Sequence, residues 1–240
     1  MVWQFDHAVI VVRDLDKAIA DYEAVGFAVV RGGRHPDTSA ENGLIGLGGD
    51  TYLELFSFAE PAKAPRHHAN WPPFERGGGF GSFWCRTTAI ADDVTRMRAA
   101  GVRAEDSRAG SRVRPDGFEV KFRLMVPSRD EFPHVPALIE DVTPLAERLP
   151  HPTPHRNGVR HISTIDCAVP NPQKAAAFYS GMLGRAAAVE GRTLSVQIGA
   201  TLLRMTESAG PAVGVQSIEL DSNTGKRATI GANAAISAFA

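Results

Sequence analysis

Residues 6–27 read Asp6-His-Ala-Val-Ile-Val-Val-Arg-Asp-Leu15-Asp-Lys-Ala-Ile-Ala-Asp-Tyr22-Glu-Ala-Val-Gly26-Phe27, and this stretch decides the fold. Its first part, residues 7–12, is apolar and β-branched at most positions, which fits a strand covered on both faces. Asp14 is placed to cap a helix whose apolar positions Leu15, Ile19, Tyr22 and Val25 recur at three- to four-residue spacing. Gly26 supplies the residue that ends such a helix. Outward from there, Phe27-Ala-Val-Val, Gly43-Leu-Ile-Gly-Leu and Thr51-Tyr-Leu-Glu-Leu-Phe are strand-like pieces separated by glycines, so the unit reads βαβββ.

The unit recurs. Ser82-Phe-Trp-Cys-Arg opens a second copy, whose helix from Ala91 ends at Gly101-Val102, 75 residues after Gly26-Phe27. Strand-like stretches follow at 117–126 and 136–140. A third copy opens at 161–169, and its helix carries Tyr179, 157 residues after Tyr22; strands near 193–198 and 200–205 complete it. Two further strand candidates lie at 214–220 and 228–230. The predicted architecture is α+β: three βαβββ modules and a fragment, forming cupped mixed sheets with helices outside. Residues 1–148 form a paired-module domain, and the proline-rich stretch 149–158 reads as a linker. Residues 159–240 form a third, degenerate module.

The composition narrows the function. With 240 residues, 43% hydrophobic and 22% charged, the chain can bury a proper core. A net charge of −1 lacks the basic footprint of a nucleic-acid binder. Cys85 and Cys167 show no CxxC spacing and cannot build a disulfide framework, which fits a reducing cytoplasm. No signal peptide is legible at the amino terminus, and no apolar run near it approaches a membrane span. Gly77-Gly-Gly-Phe-Gly81 fails the dinucleotide spacing, and no phosphate-binding loop motif occurs.

Alternation at period two puts His7, Val9 and Val11 on one face of the first strand, and Tyr52, Glu54 and Phe56 on one face of the fourth. Glu54 stands between two leucines in an otherwise apolar strand, where an ionised carboxylate needs a partner. Strand-helix units opening Asp-His-Ala-Val-Ile-Val-Val-Arg-Asp-Leu, with Gly32-Gly-Arg-His35, Asn42-Gly-Leu-Ile and Tyr52-Leu-Glu-Leu, resemble the vicinal oxygen chelate superfamily. That superfamily includes glyoxalase I, extradiol dioxygenases and bleomycin-resistance proteins; a glyoxalase-like subfamily is the nearer likeness.

The resemblance implies paired modules wrapped into a half-open cup, with a metal held by the first and fourth strands of each. Carried over, the ligand positions are His7 and Glu54 in unit one and Ser82 and Glu140 in unit two, Ser82 being a poor ligand; Thr164 and Arg204 occupy them in unit three. His7, Glu54 and Glu140 form a mixed N/O set that suits Zn²⁺, Mn²⁺, Fe²⁺ or Ni²⁺ without selecting among them. Arg34 would hold a substrate carboxylate and His35 shuttle a proton, unless both belong only to a polar hairpin loop. Glu54 and His35 are the catalytic candidates, and Arg34, Asn42, Tyr52, Phe56 and Ser82 the substrate-binding ones. The implied function is a metal-dependent lyase, isomerase or dioxygenase acting on a small oxygen-rich molecule, in a cytoplasmic protein of homodimer type without membrane or nucleic-acid partners. The alternative is a metal-free module that sequesters a small molecule in a cup lined by Phe56, Phe80, Phe83, Trp84 and Phe122. His67, His68, His151, His155 and His161 read as surface or linker residues.

Overall fold

The computed structural model describes residues 3–128, 132–149, 154–210 and 213–231. Strand β1 (Gln4–Val11) is buried at seven of its eight positions because both its faces are covered. Ala8 and Ile10 pack with Leu15, Ala18 and Tyr22 of helix α1 (Leu15–Ala24), while Val9 and Val11 face the other way. The Asp14 carboxylate caps α1 by accepting from Lys17 N at 2.9 Å, and Gly26, at φ +93°, ends it. Strands β2 (Val30–His35), β3 (Ala40–Leu47) and β4 (Thr51–Phe58) complete the first unit. After the short helix α2 (Trp71–Glu75), the second unit runs β5 (Gly79–Arg86), α3 (Ile90–Ala99), β6 (Arg108–Val113), β7 (Glu119–Met125), β8 (Ala137–Asp141) and α4 (Leu145–Arg148).

These eight strands form one closed barrel in the order β1-β4-β3-β2-β6-β7-β8-β5, where a half-open cup was expected. Each unit pairs its first and last strands in parallel, Val9 opposite Glu54 in one and Trp84 opposite Ala137 in the other. Closure falls between β2 and β6, where Arg34 lies opposite Val113. Gly33 permits that approach: its φ is +126°, and a Cβ there would stand 2.0 Å from the Val113 carbonyl oxygen. Gly33→Ala is therefore expected to lower stability by at least about 2 kcal/mol, combining left-handed strain with a backbone clash. Urea unfolding checks it; a loss below about 0.5 kcal/mol would show that the seam can widen freely.

Strand β6 is absent from the sequence reading. Arg-Ala-Gly-Ser-Arg-Val shows no apolar alternation because its outer positions meet solvent and its inner ones line a polar cavity wall.

The remaining elements are β9 (Val159–Val169), α5 (Pro172–Leu183), β10 (Val189–Glu190), β11 (Thr193–Ile198), β12 (Thr201–Glu207), β13 (Gly214–Ser222) and β14 (Arg227–Ile230). They form a second, open sheet in the order β10-β11-β12-β9-β13-β14. Parallel pairing of β9 with β12 sets Asp166 opposite Arg204, the counterpart of Val9 opposite Glu54. Arg204 is held there by Asp166 at 2.5 and 2.9 Å and by Glu219 at 2.8 Å. The sheet packs on the barrel's outside, and one hydrophobic cluster joins Ile10 and Leu53 to Ile165 and Tyr179. Residues 154–158 are fastened to the barrel: His155 Nδ1 accepts from Ala28 N at 2.9 Å and Nε2 donates to Gly46 O at 2.8 Å. Positions 150–153 of the expected linker, His151 among them, lie outside the described residues.

Candidate functional site

The barrel encloses a cavity of about 940 Å³. Its lining among the described residues runs from His7 to Arg148, so the third unit stands apart from it. His7, on the inward face of β1, is clamped between the rings of Tyr52 (4.4 Å, 15°) and Trp84 (5.2 Å, 14°). Its Nδ1 donates to Asp6 Oδ1 at 2.6 Å, and its Nε2 stands 3.5 Å from Glu54 Oε2. The other Glu54 oxygen accepts from Asn42 Nδ2 at 2.7 Å, and that amide nitrogen lies 3.4 Å from His35 Nε2. Polar contacts thus run His35–Asn42–Glu54–His7–Asp6 without a break.

Asp6, fully buried, anchors the far end. It accepts from Arg148 at 3.0 and 2.6 Å and from Arg86 at 3.2 Å. Arg148 also reaches Tyr52 Oη at 3.2 Å and pairs with Asp141.

Burial opposes charge on every one of these groups, and their partners decide the outcome. For Asp6, burial is outweighed by Arg148 and His7, which hold the carboxyl well below its usual range. Glu54 is likewise brought down to about 2, with His7 the principal cause against burial. Burial would lower the His7 pKa, but hydrogen bonds to Asp6 and Glu54 raise it overall. His35 moves the opposite way: burial depresses it, Glu54 resists, and Arg112 adds to the depression. With Asn42 Nδ2 donating to Nε2, the ring proton of His35 is left on Nδ1, the tautomer able to donate to the Ser111 backbone.

Several expected site residues are in place. His7, His35, Asn42, Tyr52, Glu54, Phe56 and Ser82 all line the cavity. His68, read as a surface residue, lines it too, stacked on Phe56 at 5.3 Å. Arg34 does not: His35 points inward, so Arg34 is turned to the outside, where its head is 72% exposed and lies 3.8 Å from Glu41. Glu140 is also on the wrong face. Ile139 takes the inward position, and Glu140 accepts from Ile90 N at 3.4 Å outside the barrel, 4.0 Å from Arg123. Of the expected aromatic lining, Phe56, Trp84 and Phe122 contribute, whereas Phe80 and Phe83 belong to the core between barrel and second sheet. Residues absent from the sequence reading complete the site: Asp6, Arg148, and Arg112, which donates to Gly32 O and, at 2.9 Å, to Arg148 O. Glycine at 32 keeps that corner open, since a Cβ would lie 2.2 Å from Asn42 Oδ1.

The donor set does not fit a resident divalent cation. His7 and Glu54 could share one, but the first and last strands of the second unit turn Ser82, Trp84 and Ile139 inward, and the carboxylates that unit adds to the lining, Glu105 and Asp106, come from the stretch before β6. Among the described residues no three His, Cys, Asp or Glu side chains converge. Two protein groups fall short of the three or four such a site uses.

Residues 5–183 match the model of a family described as a glyoxalase-like domain. No curated protein matches the sequence. Among solved structures the chain is similar to a hypothetical protein from Staphylococcus aureus, with 14% identity and a TM-score of 0.75 over 98% of each chain. It is also similar to a xylose isomerase-like TIM barrel/4-hydroxyphenylpyruvate dioxygenase fusion protein, with 17% identity and a TM-score of 0.54 over 91% of this chain and 36% of that one. A third likeness is to methylmalonyl-CoA epimerase from Mycobacterium tuberculosis, 22% identical with a TM-score of 0.44 over 60% of this chain and 91% of that one. The first two show a shared fold. No helix among the described residues is long and apolar enough to cross a membrane.

Proposed function

Since the chain belongs to the family of glyoxalase-like domains, we propose that it is an enzyme that moves a proton on a small oxygen-rich molecule, in the manner of an isomerase or lyase. The observation that carries this reading is the continuous polar chain His35–Asn42–Glu54–His7–Asp6 along the cavity inside the barrel. The superfamily often works through divalent metals. Here the ligand set is incomplete, so the chemistry is assigned to the chain's own residues.

Two imidazoles, one buried and one half-buried, whose pKa values are pushed in opposite directions make a matched acid and base. His7, kept protonated by Asp6 and Glu54, is the acid; His35, kept neutral, is the base. A C–H beside the substrate carbonyl gives its proton to His35 Nε2, displacing the long 3.4 Å contact from Asn42 Nδ2, which stays on Glu54, and the electron pair moves onto the carbonyl oxygen. The His7 Nε2–H donates to that oxygen as charge develops. Return of the proton to the same or the neighbouring carbon restores both groups. Glu54 acts as a positioning residue that orients His7 and Asn42 together.

Incubation in D₂O with a series of α-oxo and α-hydroxy carbonyl compounds, read by NMR, tests the proposal. Deuterium should enter beside the carbonyl, and incorporation should persist after dialysis against EDTA. Binding without incorporation would favour sequestration of the bleomycin-resistance type. Incorporation that vanishes with EDTA and returns with Zn²⁺, Mn²⁺, Fe²⁺ or Ni²⁺ would overturn the metal-free route and assign His7 and Glu54 as ligands.

A further inference from the structure

We propose that the molecule this cavity takes is a carboxylate with an apolar body, and that Arg112 holds its charge. The proposal rests on the cavity being a substrate site and adds the charge and shape of its occupant. Arg112 is 5% exposed. Its guanidinium uses two N–H groups on the carbonyls of Gly32 and Arg148, and no acidic side chain among the described residues forms an ion pair with it. The neighbouring guanidiniums differ. Arg148 has Asp6 and Asp141, and Arg86 has Asp6. Burial works against the Arg112 charge while Glu54 attracts it only from beyond ion-pair distance, and an anion drawn into the cavity against it would offset that cost.

Two further observations agree. The indole N–H of Trp84, a cavity-wall residue, is buried and has no acceptor among the described residues. Arg108 lines the cavity near enough to His35 and His68 to depress both, a second guanidinium in a lining that also carries Asp37, Glu105 and Asp106. A guanidinium fork suits a carboxylate's two oxygens. The remaining space fixes the body: about 940 Å³ far exceeds a two- or three-carbon acid, and Phe56, Phe122, Leu124 and Ile139 supply apolar wall.

The probes are benzoate, 3-phenylpropanoate and octanoate, each beside its neutral amide, titrated calorimetrically into the full chain at low salt. The carboxylates should bind at least about tenfold more tightly than their amides. Arg112→Gln should erase the preference, Arg112→Lys should keep part of it, and Arg34→Gln should leave it unchanged. If no carboxylate outbinds its amide in the unmodified protein, the proposal fails, whatever Arg112→Gln does to folding. It fails equally if the preference survives in folded Arg112→Gln or disappears in Arg34→Gln. Because the readout is binding, absence of deuterium incorporation would sink the proton-transfer reading and leave this one standing, and the converse holds.

Discussion

Arg148→Met lowers the stability of the fold by about 3–5 kcal/mol, the loss expected when one partner of a buried ion pair is removed. Asp6 has no exposure, and Arg148 gives it the closest contact it has from a guanidinium, 2.6 Å against 3.2 Å from Arg86. Methionine keeps much of the volume, so the loss measures stranded charge rather than a cavity. At this chain length the melting temperature should fall by on the order of 10 °C. The pH dependence has a definite sign. The Asp6 pKa is depressed in the folded state, so its pairing stabilises the protein above the ordinary aspartate range and that contribution fades as pH falls towards the folded value. The gap between variant and parent should therefore narrow in acid, where Asp6 in the variant can take up a proton. Asp6→Asn combined with Arg148→Met should recover part of the loss, because the uncompensated carboxylate is gone. Urea titrations at neutral and acid pH decide it: a deficit under about 1 kcal/mol, or a double variant as weak as the two single losses summed, would show that Arg86 and His7 suffice for Asp6.

Arg148 also shows where sequence reading stops. Its neighbourhood, Leu149 onward, is proline-rich and reads as the start of a connection; nothing local says that a guanidinium there returns to a carboxylate 142 positions earlier. The repeat was legible because strands covered on both faces and capped helices leave periodic patterns, as in residues 6–27. His7 and Glu54 were legible because polar residues in apolar strands demand a partner. Arg112 was not, since a strand whose inner face lines a polar wall loses the alternation that would reveal it. Glu140 failed because a side-chain period of two makes a one-residue error in register a change of face, and Arg34 because the expected loop is the end of strand β2, where inward His35 turns its neighbour out. In the ligand-bearing strand β8 that error exchanges a carboxylate for Ile139, and with it the third ligand that the resemblance implied.

Glu54→Gln tests the chemistry most severely, because it changes what His7 can be without removing His7. In the parent, Glu54 accepts from Asn42 through one oxygen and faces His7 Nε2 with the other. A glutamine that keeps its carbonyl on Asn42 Nδ2 must turn its own NH₂ towards His7. Nε2 then has to offer a lone pair, leaving the ring proton on Nδ1 against Asp6, so the imidazole is neutral and the acid is lost. Deuterium incorporation should fall by about 10²–10³, the usual worth of one positioned proton donor. The pH profile separates this from a merely structural effect. In the parent, activity requires neutral His35, whose pKa is depressed, and protonated His7, whose pKa is raised, so the plateau lies on both sides of the ordinary imidazole value. Removing the Glu54 charge takes away part of what raises His7, and the alkaline limb must move to lower pH while the parent's is still flat. The residual activity of the variant should thus be highest in mild acid. Incorporation within about threefold of the parent at neutral pH, or an alkaline limb that stays in place, would mean that His7 is not the acid and that Glu54 serves only to hold Asn42.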